Sequence, residues 1–86
     1  MKLKESVDLK VLEELGYYEL KFNKNTYLKD VFPPFKYDIV YSVLIGKYDR
    51  QIRVLEHHGS YKATEVSDID VIVNCIKDLI EKGLVE

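Results

Sequence analysis

The chain has no tryptophan, one cysteine, one methionine, two prolines and four glycines in 86 residues. A lone cysteine, Cys75, cannot close an internal disulfide, whereas small secreted domains usually carry several. A reduced, cytoplasmic protein is therefore expected. Long apolar runs are also missing. The longest, such as Val43-Leu44-Ile45 and Val71-Ile72-Val73, are three residues, against the ~20 of a membrane-spanning helix. The opening MKLKESVDLK has basic residues but no apolar stretch behind them, so neither a signal peptide nor a membrane role is expected. There is no G-x-G-x-x-G, no phosphate loop and no G-x-S-x-G turn. The glycines stand at 16, 46, 59 and 83, each beside a turn or helix end. CxxC, HxxxH and HExxH are absent too, so no metal or other cofactor is expected.

A basic excess is equally lacking. The net charge is −2 and the isoelectric point about 5.7, where nucleic-acid-binding domains are usually basic. The charge is unevenly laid out, however. Residues 1–19 carry −2, residues 20–55 carry +4 and residues 56–86 carry −4. Either the middle is a basic binding segment, or the acidic ends neutralise it within one fold. What is present is an ordinary globular balance, 47% hydrophobic and 33% charged. Together with the length, it predicts one domain over residues 1–86.

Asp8 caps a short first helix in which Leu9, Val11, Leu12 and Leu15 share a face. Gly16 follows as its left-handed C′ residue. In YYELKFN, residues 17–23, Tyr18, Leu20 and Phe22 alternate with Tyr17, Glu19 and Lys21, the period of a half-buried strand. Asn23-Lys24-Asn25 turns the chain into a second strand over residues 26–29. Phe32-Pro33-Pro34-Phe35 is a stiff connection. Residues 36–45 form the strongest strand. Ile39, Tyr41, Val43 and Ile45 lie on one side and Val40 and Leu44 on the other, so both faces are apolar and the strand is central. After a turn at residues 46–49, residues 50–57 return, with Val43 facing Ile52 and Tyr41 facing Val54. Residues 61–66 are a weak edge strand. Ser67 begins a last helix over residues 68–82, striped by Ile69, Ile72, Val73, Ile76, Leu79 and Ile80, with Gly83 at C′. The order α-β-β-β-β-(β)-α predicts an α+β fold: an antiparallel sheet of four to five strands with an N-terminal and a C-terminal helix, both on one face.

Chemistry is sparse. His57 and His58 are adjacent and point to opposite faces of a strand, which prevents them from sharing a metal. In the register above Asp38 faces His57, half of a catalytic dyad. Ser42, Ser60 and Cys75 are the nucleophiles within reach on paper, and none completes the geometry. A non-catalytic protein is expected, with an enzyme built on His57 and Asp38 as the lesser alternative. Tyrosine is the abundant feature, with seven of ten aromatics. Phe22, Phe32, Phe35 and Tyr41 serve as core fillers. Tyr17, Tyr27, Tyr37, Tyr48 and Tyr61 are candidates for an interaction surface, because tyrosine is large, fairly rigid and polar-tipped. Val71, on the polar side of the last helix, joins them. The alternative is a single-stranded nucleic-acid-binding module, with bases stacked on sheet tyrosines and phosphates met by Lys21, Lys29, Arg50 and Arg53.

DLKVLEELGYYELKFNKNTYLKD, residues 8–30, and DIDVIVNCIKDLIEKGLVE, residues 68–86, resemble the opening and the terminal helix of small uncharacterised α/β proteins of Gram-positive bacteria and their phages. The resemblance implies a helix–sheet–helix organisation and an accessory role in a mobile element. It brings no catalytic residue with it. The expected function is thus a protein-interaction module, whose partner is another protein or a second copy of the chain in a homodimer.

Overall fold

The computed structural model describes residues 1–22, 25–32, 39–58 and 62–86. Helix α1 (Lys10–Glu14) is followed by strands β1 (Tyr18–Glu19), β2 (Thr26–Val31), β3 (Ile39–Gly46), β4 (Ile52–His58) and β5 (Thr64–Glu65), then helices α2 (Ile69–Cys75) and α3 (Lys77–Glu81). Among the described residues the strands form one antiparallel sheet, ordered β1-β2-β3-β4-β5. The fold class is α+β, with helices at both ends of the chain. No helix among the described residues is long and apolar enough to cross a membrane.

The first helix starts as its sequence suggests. Asp8 Oδ1 accepts from Lys10 N at 3.0 Å. It ends on Gly16, at φ +93°, where Tyr17 N donates to Leu12 O and Gly16 N to Glu13 O. The same pair of bonds recurs at Gly83, with Leu84 N to Leu79 O and Gly83 N to Ile80 O. Both ends therefore satisfy carbonyls that the helix alone leaves unpaired.

Strand alternation puts Tyr27, Ile45, Val43, Tyr41, Ile52 and Val54 on one face of the sheet. These residues are buried, and Leu12, Cys75 and Leu79 from the helices, with Ile76 between the last two helices, join the same cluster. Leu3 joins it from outside the helices and strands, fully buried. The segment that carries Leu3 hydrogen-bonds to both Arg50–Ile52 and the C-terminal residues: Leu3 N to Arg50 O, Ile52 N to Met1 O, Lys4 N to Leu84 O and Glu86 N to Lys2 O.

Several expectations are corrected. The last helix is two. At Ile76 the backbone leaves helical values (φ −109°, ψ 23°), so α2 stops at Cys75 and α3 restarts at Lys77. Its cap is Asp68, whose side chain accepts from Asp70 N, rather than Ser67. Its apolar arc is wider than the core can cover. Ile72, Cys75, Ile76 and Leu79 turn inward, while Ile69, Val73 and Ile80 are exposed. Val71 packs against the core and is no polar-side outlier.

The first strand is only two residues long, and its parity is the reverse of the expected one. Tyr17 is 2% exposed and Tyr27 5% exposed, whereas Phe22 and Phe32 stand in solvent. Tyr17 and Tyr27 are therefore core residues, and Phe22 and Phe32 are not core fillers. Tyr41 is buried as expected.

The β3–β4 register also differs. Val43 pairs Val54 and Tyr41 pairs Glu56, because the four-residue loop occupies residues 47–50 rather than 46–49. Gly46 N donates to Gln51 O and Arg50 N to Gly46 O. Arg50 takes φ +61°, spanned by a hydrogen bond from Gln51 N to Asp49 Oδ1 at 3.1 Å. That side-chain turn holds a non-glycine residue in the left-handed region. Moving the loop by one residue shifts each partner by two, so every side chain keeps its face.

Candidate interaction surface

The second face of the sheet follows from the pairing. Tyr18 lies beside Leu28, Leu28 beside Leu44, and Leu44 beside Arg53. In the next row Asp30, Ser42, Leu55 and Glu65 run across four strands. Val40 and His57 make the third. Leu28, Leu44, Leu55 and Val40 are half-buried, and Tyr18 and Arg53 are exposed. A sheet solvated on one side normally alternates apolar and polar residues strand by strand. Here β3 turns Val40 and Leu44 outward on either side of Ser42, and Leu28 of β2 and Leu55 of β4 adjoin them. The result is a patch of four aliphatics interrupted by Ser42, with a charged and aromatic rim.

The rim is internally paired. Arg53 Nε meets Glu65 Oε1 at 2.9 Å, both well exposed, so the pair adds little stability. Ser42 Oγ donates to Asp30 Oδ1 at 2.9 Å and stands 3.0 Å from His57 Nε2. Aspartate, serine and histidine thus meet on this face, but in an order unlike a hydrolytic triad, in which serine donates to histidine and histidine to the carboxylate. A hydroxyl has one proton. With that proton on Asp30, His57 Nε2–H donates to Ser42. The three side chains form a polar strut across β2, β3 and β4, and Ser42 is only 4% exposed.

The expected register set Asp38 opposite His57, whereas the observed one sets Val40 there. Asp38, Ser60, Phe35, Tyr37 and Tyr61 lie outside the described residues. His58 is on the opposite face from His57, 3.0 Å from Glu56 Oε1. No group of three metal-binding side chains gathers among the described residues.

On the helix side, Lys29 Nζ pairs with Asp78 Oδ2 at 3.0 Å and lies 5.3 Å from the Tyr17 ring centroid. The Tyr17 hydroxyl is buried without a hydrogen bond of full geometry. Burial, then the nearby Asp78 carboxylate and Cys75, push its pKa well up. Burial also pushes the Cys75 thiol up, which disfavours the reactive thiolate.

The four candidate phosphate contacts do not form one surface. Lys29 is held by Asp78 beside the core. Arg50 donates to Val7 O at 2.8 Å and Lys4 O at 3.4 Å. Arg53 is paired on the second face, and Lys21 is exposed near the β1–β2 turn. Of the candidate surface tyrosines, Tyr48 is exposed, at 79%. Reasoning from sequence missed Tyr18 and the aliphatic patch, although Val40 and Leu44 on the second side of β3 were their signal.

No protein-family model matches the chain, and no curated protein or solved structure matches it.

Proposed function

We propose that the protein acts by binding another protein through the second face of its sheet, without catalysis. The observation that supports this is the patch of half-buried aliphatics at Leu28, Val40, Leu44 and Leu55 around Ser42, set inside a rim of Tyr18, Asp30, Arg53, His57 and Glu65. An apolar centre with a polar rim is the anatomy of protein interfaces. Covering each half-buried aliphatic contributes roughly 1 kcal/mol, about half the value for full burial. The rim holds two carboxylates against one arginine, which disfavours a polyanion. The resemblance noted above would make such a module an accessory factor of a phage or related mobile element.

The test is affinity capture with the wild type and with Leu28→Asp and Leu55→Asp, in the presence of nuclease. Folding of both variants is checked by circular dichroism. One protein retained by the wild type and lost from both folded variants supports the reading. Salt-sensitive retention of an oligonucleotide, abolished by Arg53→Glu, would replace it with nucleic-acid binding.

A further inference from the structure

We propose that the partner of this face is a basic protein, which seats a lysine side chain in the cavity beside the β3–β4 turn with its ammonium on Asp49. The inference rests on the reading of the second face as a binding surface. It is carried by a carboxylate that lacks a cation and by the space next to it. Asp49 is exposed and forms no ion pair among the described residues. Its Oδ1 accepts from Gln51 N at 3.1 Å, which fixes the carboxylate in the turn. Its Oδ2 has no hydrogen bond among the described residues.

The Asp49 carboxylate fills the space over Gly46. With it in place, the cavity beside it still measures about 200 Å³. Whole small ligands usually occupy sites of roughly 300–1,000 Å³, so this volume suits one side chain of a partner. Leu20 and Leu44 give the cavity aliphatic walls, and Asp49, Thr26 and Gln51 bring acceptor oxygens to its lining. Lysine matches that layout. Its methylene stem lies well along apolar surface, and its ammonium has three donors and no acceptor.

The charges of the face point the same way. Arg53 also lines the cavity, but it is committed to Glu65 at 2.9 Å and does not balance Asp49. Lys2, which faces Gln51, is held by Glu5. Asp30 accepts from Ser42 and has no cation either. Asp30 and Asp49 are thus left uncompensated. A second copy would set the same two carboxylates against themselves, and an acidic partner would add more, so complementarity selects a cationic one. Leu44 belongs both to the cavity and to the aliphatic patch, so one partner surface covers the two.

Titration of the isotope-labelled full chain with a synthetic amphipathic peptide of leucine and lysine, followed by amide chemical shifts, tests the inference. The comparison probe is the same peptide with every lysine acetylated, which removes the charge. The lysine peptide is expected to move the amides of Leu20, Leu44, Asp49 and Gln51 and to bind about tenfold more tightly than the acetylated one. Asp49→Asn keeps an acceptor for Gln51 N but removes the charge, and should erase that preference. Asp70→Asn, an equal loss of charge on exposed α2, should leave it unchanged. A preference that survives Asp49→Asn, one lost equally in Asp70→Asn, or no shift at the four amides overturns the inference. The binding face is judged separately by capture. A partner lost from Leu28→Asp and Leu55→Asp but retained in full by Asp49→Asn leaves the face standing without the lysine site.

Discussion

Ser42 Oγ donates to Asp30 Oδ1 at 2.9 Å, and that one proton sets the role of His57, 3.0 Å away on the other side. A serine whose proton is already committed to a carboxylate is not activated by the histidine. Ser42 is therefore expected to remain unlabelled by fluorophosphonate reagents at neutral pH. Ser42→Ala should cost about 1 kcal/mol, measured by urea unfolding, because it removes hydrogen bonds whose partners can still reach water.

Gly46 and Asp49 share one space. A Cβ on Gly46 would overlap the Asp49 carboxylate and come within 2.9 Å of its Cγ. That carboxylate is tied to Gln51 N and cannot swing away without releasing the turn. Gly46→Ala should therefore destabilise by about 1–3 kcal/mol. In the double variant with Asp49→Ala the two losses should not add, since the clash is gone. A thermodynamic cycle from denaturant melts measures that coupling, and strict additivity would refute the shared-space account.

Alkaline pH should unfold the protein through its buried tyrosines. Burial, followed by carboxylates (Asp78 for Tyr17, Glu56 for Tyr41), raises both phenols above the ordinary 10.0. The folded state then holds these protons more tightly than the unfolded chain does. The stability they contribute is full below pH 10 and is lost as pH rises beyond it. Phenolate absorbance should show Tyr17 and Tyr41 ionising only with loss of structure. Tyr17→Phe should flatten the fall of the thermal midpoint above pH 10.

Cys75 is buried, and burial raises its thiol above the ordinary 9.0. At pH 7 the native protein should react with a thiol-specific chromogenic reagent only at the rate of unfolding. Full reaction should appear in denaturant. Fast labelling of the native state would contradict the packing of α2 against the sheet.

Leu3 is fully buried although it lies outside the helices and strands. Leu3→Ala should cost about 2–5 kcal/mol, the range for emptying a closed core site, read from chemical denaturation. A cost below 1 kcal/mol would mean that the N-terminal segment is not part of the cooperative unit.

Much of the architecture was legible in the sequence because it rests on short-range rules. Asp8, Gly16 and Gly83 mark helix ends by chemistry that acts within one turn. The double-sided β3 announced its central place through Val40 and Leu44. Register was less legible because an apolar pattern fixes only parity. Val43 opposite Ile52 and Val43 opposite Val54 are equally apolar, and the choice was made by Asp49 and Arg50 in the turn. Tyr17 and Tyr18 show the same limit. In a two-residue strand either parity satisfies a period of two, and only tertiary packing decides which ring is buried. The helix break at Ile76 had no local signal, since an uninterrupted apolar arc continues through it. Leu3 had none either, because its partners lie some fifty and eighty residues away. On the second face, Leu44 and His57 were visible, but bringing Leu28 and Leu55 to either side of β3 required the β2–β3–β4 alignment.

The hydrogen bonds that join residues 1–4 to residues 50–52 and 84–86 make a clasp of three segments far apart in sequence. Leu3 is covered only once residues some fifty and eighty positions further on have gathered around it, so its placement closes a long loop. Contacts so distant in sequence slow the search for the native state. The clasp is therefore among the last parts of the fold to be secured, and a chaperone that shelters the folding chain would find its handle at the uncovered Leu3.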